Sequence, residues 1–203
     1  TMLEVATSSN LWVNLFIMVL CAPVAEELIF RKLLIDRLVQ YGEGVAVLFS
    51  GLMFGLFHGN LNQFVYAFVL GLCFGFIYVK TGNIRYTIGL HMLVNFLGSV
   101  LGVAILKWLG DDFLSVASDP AGMMSYMTGN FGKLIVYFIY IFLLLGVAIA
   151  GIILFIVNLK KIRFQPGMNT IPKGKRFSTT VLNVGMALYM IVWIVIIIVQ
   201  LLQ

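Results

Sequence analysis

The chain has 203 residues, of which 62% are hydrophobic and only 10% are charged. A soluble domain is roughly half apolar and about a quarter charged, so this composition excludes an ordinary soluble protein. The net charge of +5 does not indicate nucleic-acid binding, because in a membrane protein its meaning depends on which loops carry it. The sequence predicts an all-α, polytopic bundle of about six transmembrane helices, forming a single membrane domain over residues 1–203.

Long apolar segments follow one another along the chain, separated by short polar breaks. The first, 10–39, contains Pro23, which lacks the N–H that a helix interior needs. We therefore predict either one long helix kinked near Pro23 or two helices that meet there. After a turn at 41–44, the remaining helices are predicted over 45–58, 63–79, 86–108, 133–159 and 179–202. Segment 109–132 is interpreted as a long connection, and 160–178 as a basic linker.

The positive residues indicate the orientation of these helices. If residues 1–9 lie outside and the helices alternate, only Lys107 and Lys133 of the 13 Lys and Arg residues also fall outside. Because Lys and Arg concentrate in cytoplasmic loops, we expect an integral, multi-pass protein with its basic loops in the cytoplasm. The short loops favour a bacterial plasma membrane.

Three pairs of glycines stand four residues apart, on one face of a helix. They are Gly51/Gly55, Gly71/Gly75 and Gly98/Gly102. Such pairs let two helix backbones approach closely in lipid. We therefore expect the second, third and fourth helices to pack tightly together.

Two adjacent carboxylates, Glu26 and Glu27, interrupt an otherwise apolar helix. Ionisable groups inside a membrane are costly and by default indicate a functional site. Glu27 and Arg31 have the i, i+4 spacing of a favourable helical ion pair. Glu26 points about 100° away around the helix, which leaves it to meet other groups.

Both histidines of the chain also lie in apolar helical sequence, and His91 shares a helix face with Asn95 four residues later. Glu26, His58 and His91 are separated by about one helix and a turn each, so they come from different helices and can converge. A carboxylate, two imidazoles and an amide suit the activation of a water molecule, the stabilisation of an oxyanion or the binding of a metal. The alternative is a buried polar network that only specifies helix packing.

These residues form three ordered motifs, Glu-Glu-x-x-x-Arg, Phe-x-x-x-His and His-x-x-x-Asn. The set resembles the CPBP family, which includes CAAX prenyl endopeptidases and Abi-type bacteriocin-processing or self-immunity proteins. The resemblance covers about 16–107, the predicted catalytic core, and leaves 108–203 as additional helices with the basic linker. Family members usually have more helices before the first motif, which suggests that N-terminal sequence is missing. The supporting residues that the resemblance implies are Glu27, Arg31 and Phe54.

The resemblance implies an intramembrane endopeptidase in which Glu26 activates a water held by His58, His91 and Asn95. It does not decide between a metal-free mechanism and a divalent metal such as zinc. A metal would take Glu26, His58 and His91 as ligands, since these residue types are ordinary zinc ligands and asparagine is not. We favour the glutamate-activated water, and no cofactor is assigned.

The predicted partners are a peptide or lipid-modified protein substrate and the lipid bilayer, with a peptide precursor or peptide exporter as a further partner. The main alternative is a non-catalytic membrane immunity or binding protein that holds a bacteriocin-like peptide in the same polar cavity. A transporter or haem-binding subunit with His58 and His91 as axial ligands would leave the stretch from Glu26 to Arg31 unexplained. The sequence does not identify the substrate.

Overall fold

The computed structural model describes residues 10–116, 119–169, 171–175, 178–179 and 182–202. It confirms the all-α class, and no β-strand occurs within those ranges. The helices are α1 (Leu11–Tyr41), α2 (Glu43–Phe57), α3 (Leu61–Thr81), α4 (Ile84–Leu109), α5 (Asp111–Val116), α6 (Pro120–Asn158) and α7 (Val184–Leu201).

Five of these helices are long and apolar enough to cross a membrane, namely α1, α3, α4, α6 and α7. Helix α2 has 15 residues, fewer than the roughly 20 that a full span needs. Since unpaired backbone groups are very costly in lipid, an apolar all-helical chain of this kind is an integral membrane protein.

Helix α1 continues through Pro23, so the predicted alternative of two separate helices is wrong. The helix contains π-helical turns over Leu15–Cys21, just before the proline, and again over Leu28–Ile35. At the end of the first π segment the N–H of Ala22 donates to the carbonyl of Ile17, five residues earlier. Such turns leave some backbone carbonyls without an in-helix donor and are frequent at functional sites.

Helix α6 begins at Pro120, 13 residues before the predicted start at 133. The side chain of Asp119 accepts hydrogen bonds from the N–H groups of Ala121 and Gly122. An aspartate N-cap followed by proline is a helix start rather than a loop, because proline suits the first helical position. Asn130 has non-helical backbone angles (φ −127°, ψ 24°) and marks an irregularity inside α6.

The chain divides into two compact units. The first comprises the described residues of Thr1–Ala22 and His91–Arg163, and the second those of Pro23–Leu90 and Phe164–Gln203. In the second unit, α2 packs closely on α3 at the predicted glycines. A Cβ on Gly71 would lie 2.8 Å from the Cα of Gly51, and one on Gly55 would lie 3.0 Å from the Cβ of Phe68. The close approach of α2 and α3 is therefore confirmed.

The first unit has a hydrophobic cluster where α4, α5 and α6 meet. Its buried members are Leu109, Phe113 and Leu134. The prediction of close helix packing at the third glycine pair is wrong for Gly98, because no other described atom lies within 4 Å of a Cβ added there. Gly102, in contrast, faces the Tyr140 hydroxyl. Glycine spacing alone does not reveal whether a neighbouring helix is present.

The basic linker is attached to the turn between α1 and α2 in the second unit. The Glu43 carboxylate pairs with Lys80 and accepts a hydrogen bond from the N–H of Gln165. The amide of Asn169 donates to the Gln40 side chain over 2.8 Å. Partial burial raises the pKa of the Glu43 carboxyl, but the hydrogen bonds from Lys80 and Gln165 and the charge of Lys80 outweigh it, so the pKa is lowered.

Candidate active site

Glu27 and Arg31 form the ion pair that their spacing predicts. Arg31 Nε lies 3.0 Å from Glu27 Oε2, and both side chains are 0% exposed. A buried charge is stable only when a partner compensates its lost hydration. The pair therefore belongs to the structural core of the second unit.

The guanidinium of Arg31 also lies over two aromatic rings. Its central carbon is 4.7 Å from the centroid of Phe54 and 5.6 Å from that of Phe74. Aromatic faces attract cations, most strongly where water is excluded. Phe54 therefore has a physical role: its ring stabilises the part of the Arg31 guanidinium charge that does not face Glu27.

His58 is held by the same phenylalanine. Its ring packs edge-on against Phe54 with centroids 4.9 Å apart. Its Nδ1 lies 2.9 Å from the Phe54 carbonyl oxygen, and a carbonyl only accepts, so Nδ1 carries the hydrogen. In neutral His58 the lone pair is then on Nε2, which can accept a hydrogen bond from water or bind a metal.

Glu26 has a half-buried side chain, one oxygen of which is buried. It lies within electrostatic reach of Tyr66, whose ring centroid is 6.4 Å from that of His58. Thus Glu26, His58 and Tyr66 share one neighbourhood of the second unit. Sequence reasoning missed Tyr66, and nothing in the pattern distinguishes it from the other tyrosines of the chain.

His91 and Asn95 lie in the first unit. His91 is buried, with 4% of its surface exposed. The Asn95 side-chain amide donates to the main-chain carbonyl of Met18 over 2.7 Å, and the Ser99 hydroxyl donates to the Asn95 carbonyl. Sequence reasoning also missed Met18, because a proline at residue 23 of an α-helix indicates the Val19 carbonyl, and only the π-helical register shifts the missing donor to Met18.

The predicted site residues are therefore held in two groups. Glu26, Glu27, Arg31, Phe54 and His58 belong to the second unit. His91 and Asn95 belong to the first. That all of them form one site stays a prediction.

A metal site would need several donor side chains grouped together. Among the described residues, no three His, Cys, Asp or Glu side chains are grouped closely enough to hold a metal ion. Because Glu26 and His58 lie in the second unit and His91 in the first, the ligand set of these three residues stays a prediction.

An apolar groove of about 340 Å³ lies in the second unit beside Phe57, the residue next to His58. It is lined by Ile29, Phe30, Leu33, Leu34, Arg37, Met53, Phe57 and Tyr189. Arg37 is the one charged side chain of this lining. The groove thus offers an apolar surface with a cation next to the end of α2, where His58 follows Phe57.

Comparison with known proteins shows what part of the chain is similar to. Residues 8–97 match the family model "Type II CAAX prenyl endopeptidase Rce1-like" and contain all three motifs. A Bacillus subtilis (strain 168) protein described as "Putative membrane peptidase YdiL" is 33% identical over 74 residues. That alignment covers 36% of this chain and 30% of the relative, so the chain spans less than a third of that relative's length. No solved structure matches the chain significantly. Residues 8–97 of this chain are thus similar to the Rce1-like family of CAAX prenyl endopeptidases, and the match covers less than half of the chain.

Proposed function

We propose that this protein is an intramembrane endopeptidase that hydrolyses a peptide bond of a peptide or lipid-modified protein. Glu26 activates a water molecule that His58, His91 and Asn95 hold. The observation that carries the proposal is the different environment of the two adjacent acids. Glu27 is paired with Arg31, whereas the half-buried Glu26 interacts electrostatically with Tyr66, whose ring lies beside that of His58. A catalytic base needs the access to water that a half-buried side chain keeps.

The proposed reaction proceeds in the following steps. Glu26 takes one proton from the water, while Nε2 of His58 accepts a hydrogen bond from the other hydrogen. The resulting hydroxide attacks the scissile carbonyl carbon, and an N–H of Asn95 and the His91 ring donate to the oxyanion that forms. Glu26 then transfers its proton to the leaving amine, the C–N bond breaks, and the products are a carboxylic acid and an amine.

The apolar groove supports a substrate that carries a lipid group. Its walls lie beside Phe57, which places it close to His58 at the end of α2. A lipid chain in the groove would bind by burial of apolar surface. We propose that it holds the lipid of a modified substrate while the adjoining peptide reaches His58.

The central test is the variant Glu26→Gln, which keeps the shape of the side chain and removes the base. The substrate is an internally quenched, farnesylated CAAX peptide, incubated with purified protein in liposomes. Cleavage is followed by fluorescence and located by mass spectrometry. Loss of a general base predicts that kcat falls by about 10²- to 10⁴-fold. The exposed carboxylate variant Asp112→Asn is the matched control and should retain activity.

Full cleavage by the Glu26→Gln variant would refute the catalytic role of Glu26. Tight binding of a peptide that wild-type protein never cleaves would instead support an immunity or binding function. The same peptide without its farnesyl group tests the groove, because the proposed lipid contact should lower KM for the modified form. Dialysis against a chelator, followed by metal analysis, tests the metal-free mechanism. A stoichiometric metal whose removal abolishes cleavage would contradict it.

The cellular setting is a further part of this proposal. We place the protein in a bacterial plasma membrane with its basic loops in the cytoplasm, and we expect a peptide precursor or peptide exporter as a partner. Reporter fusions after residues 82 and 165 should both report a cytoplasmic location.

A further inference from the structure

The side-chain amide of Asn95 is attached to a backbone carbonyl for which the helix supplies no donor. In the π-helical part of α1, the N–H of Ala22 reaches back five residues to the Ile17 carbonyl. The next donor in this register would be residue 23, and the next acceptor is Met18. Residue 23 is proline and has no N–H. The Met18 carbonyl therefore accepts the Asn95 amide instead, over 2.7 Å.

This hydrogen bond fixes the orientation of the Asn95 amide. A carbonyl oxygen accepts but does not donate, so only the nitrogen side of the amide can face Met18. Rotation by 180° would bring two oxygens together and leave the Met18 carbonyl without a donor. One N–H of Asn95 is used in this way, and the second N–H and Oδ1 are held in a defined direction.

We propose that Pro23 is a positioning residue that acts through Met18 on Asn95. By withholding an N–H from the Met18 carbonyl, Pro23 makes this carbonyl the fixed acceptor that orients the Asn95 amide. This inference rests on the proposed function for the part that concerns catalysis. The hydrogen-bond exchange itself does not depend on that function.

The variant Pro23→Ala supplies the missing N–H, so the Met18 carbonyl no longer requires Asn95. Stability is measured as the unfolding equilibrium constant in mixed micelles. With Pro23 present, Asn95→Ala leaves a carbonyl without a partner, and the constant should rise roughly 5- to 100-fold. In the Pro23→Ala background, Asn95→Ala should change the unfolding equilibrium constant by about three-fold or less. An equal effect in both backgrounds would overturn the inference.

Catalysis provides a second readout, with the farnesylated CAAX peptide as substrate. Pro23→Ala should lower kcat about ten-fold or more and change KM by less than about two-fold, because it disturbs orientation rather than substrate binding. In the Asn95→Ala background, Pro23→Ala should change kcat by no more than about two-fold. A ten-fold loss in both backgrounds would show that Pro23 does not act through Asn95.

Two controls separate this device from general effects. Pro120→Ala changes a proline at the start of α6, where the missing N–H has no helical acceptor, and it should alter neither readout. Asn158→Ala removes an exposed amide that donates to the Leu154 carbonyl, and its effect should not depend on residue 23. If the wild-type protein cleaves no peptide, the proposed function fails, and the stability measurements still decide whether Pro23 governs the Asn95 hydrogen bond.

Discussion

Replacing Arg31 with methionine should strongly destabilise the protein. Methionine approximately fills the volume of the arginine stem but leaves the Glu27 carboxylate buried at 0% exposure without its cation. Breaking a buried pair costs about 3–5 kcal/mol, because the remaining charge is not hydrated. Loss of the contacts with Phe54 and Phe74 acts in the same direction.

The double variant Glu27→Met/Arg31→Met removes both charges together. Replacing a buried pair by apolar residues of similar volume is often neutral or stabilising. The double variant should therefore recover most of the stability that Arg31→Met loses. Glu26→Gln is the matched control, because the Glu26 side chain is only half-buried, and its effect should be below about 1 kcal/mol.

The assay is reversible unfolding in mixed micelles, with increasing denaturing detergent and far-ultraviolet circular dichroism as the signal. The free energy of unfolding is compared across the single and double variants. A loss below about 1 kcal/mol for Arg31→Met would refute the argument, because it would mean that water or another group compensates Glu27. Destabilisation by Glu26→Gln as large as that by Arg31→Met would refute the division of roles between the two acids.

Two other predictions concern packing and pH. Gly71→Val should destabilise the second unit by about 1–3 kcal/mol through overpacking, because an added Cβ would lie 2.8 Å from the Gly51 backbone; Gly98→Val, where no described atom is close, should cost much less in the same unfolding assay. The lowered pKa of Glu43 predicts that its contribution to linker attachment is complete above the ordinary carboxyl pKa of 4.5 and is lost as the pH falls through the lower folded value. Limited proteolysis of the linker should therefore become faster below the folded pKa of Glu43. In the Glu43→Gln variant, the protease should cut the linker rapidly already at pH 7. A cleavage rate that neither the lower pH nor the substitution changes would contradict this attachment.

Sequence patterns predicted most of the helices because hydrophobic length is a local property. The ion pair of Glu27 and Arg31 could likewise be predicted, since four residues in a helix bring two side chains onto one face. The start of α6 was missed because Asp119 and Pro120 suit both a loop and a helix N-terminus, and only the segment that follows distinguishes the two. Gly98 was wrongly assigned to a helix–helix interface, because the spacing of two glycines does not show whether another helix lies beside them.

The sequence by itself determined the membrane class, the three motifs and the different directions in which Glu26 and Glu27 point. The reason is that apolar length and helical spacing depend on neighbouring residues alone. Only the three-dimensional structure decided which hydrogen bonds orient the candidate catalytic groups, one of them local and one between distant parts of the chain. The His58 tautomer depends on the local geometry that brings Nδ1 to the Phe54 carbonyl. The Asn95 amide depends on a partner 77 residues away, and it meets that partner because folding brings it to the carbonyl that Pro23 leaves without a helical donor.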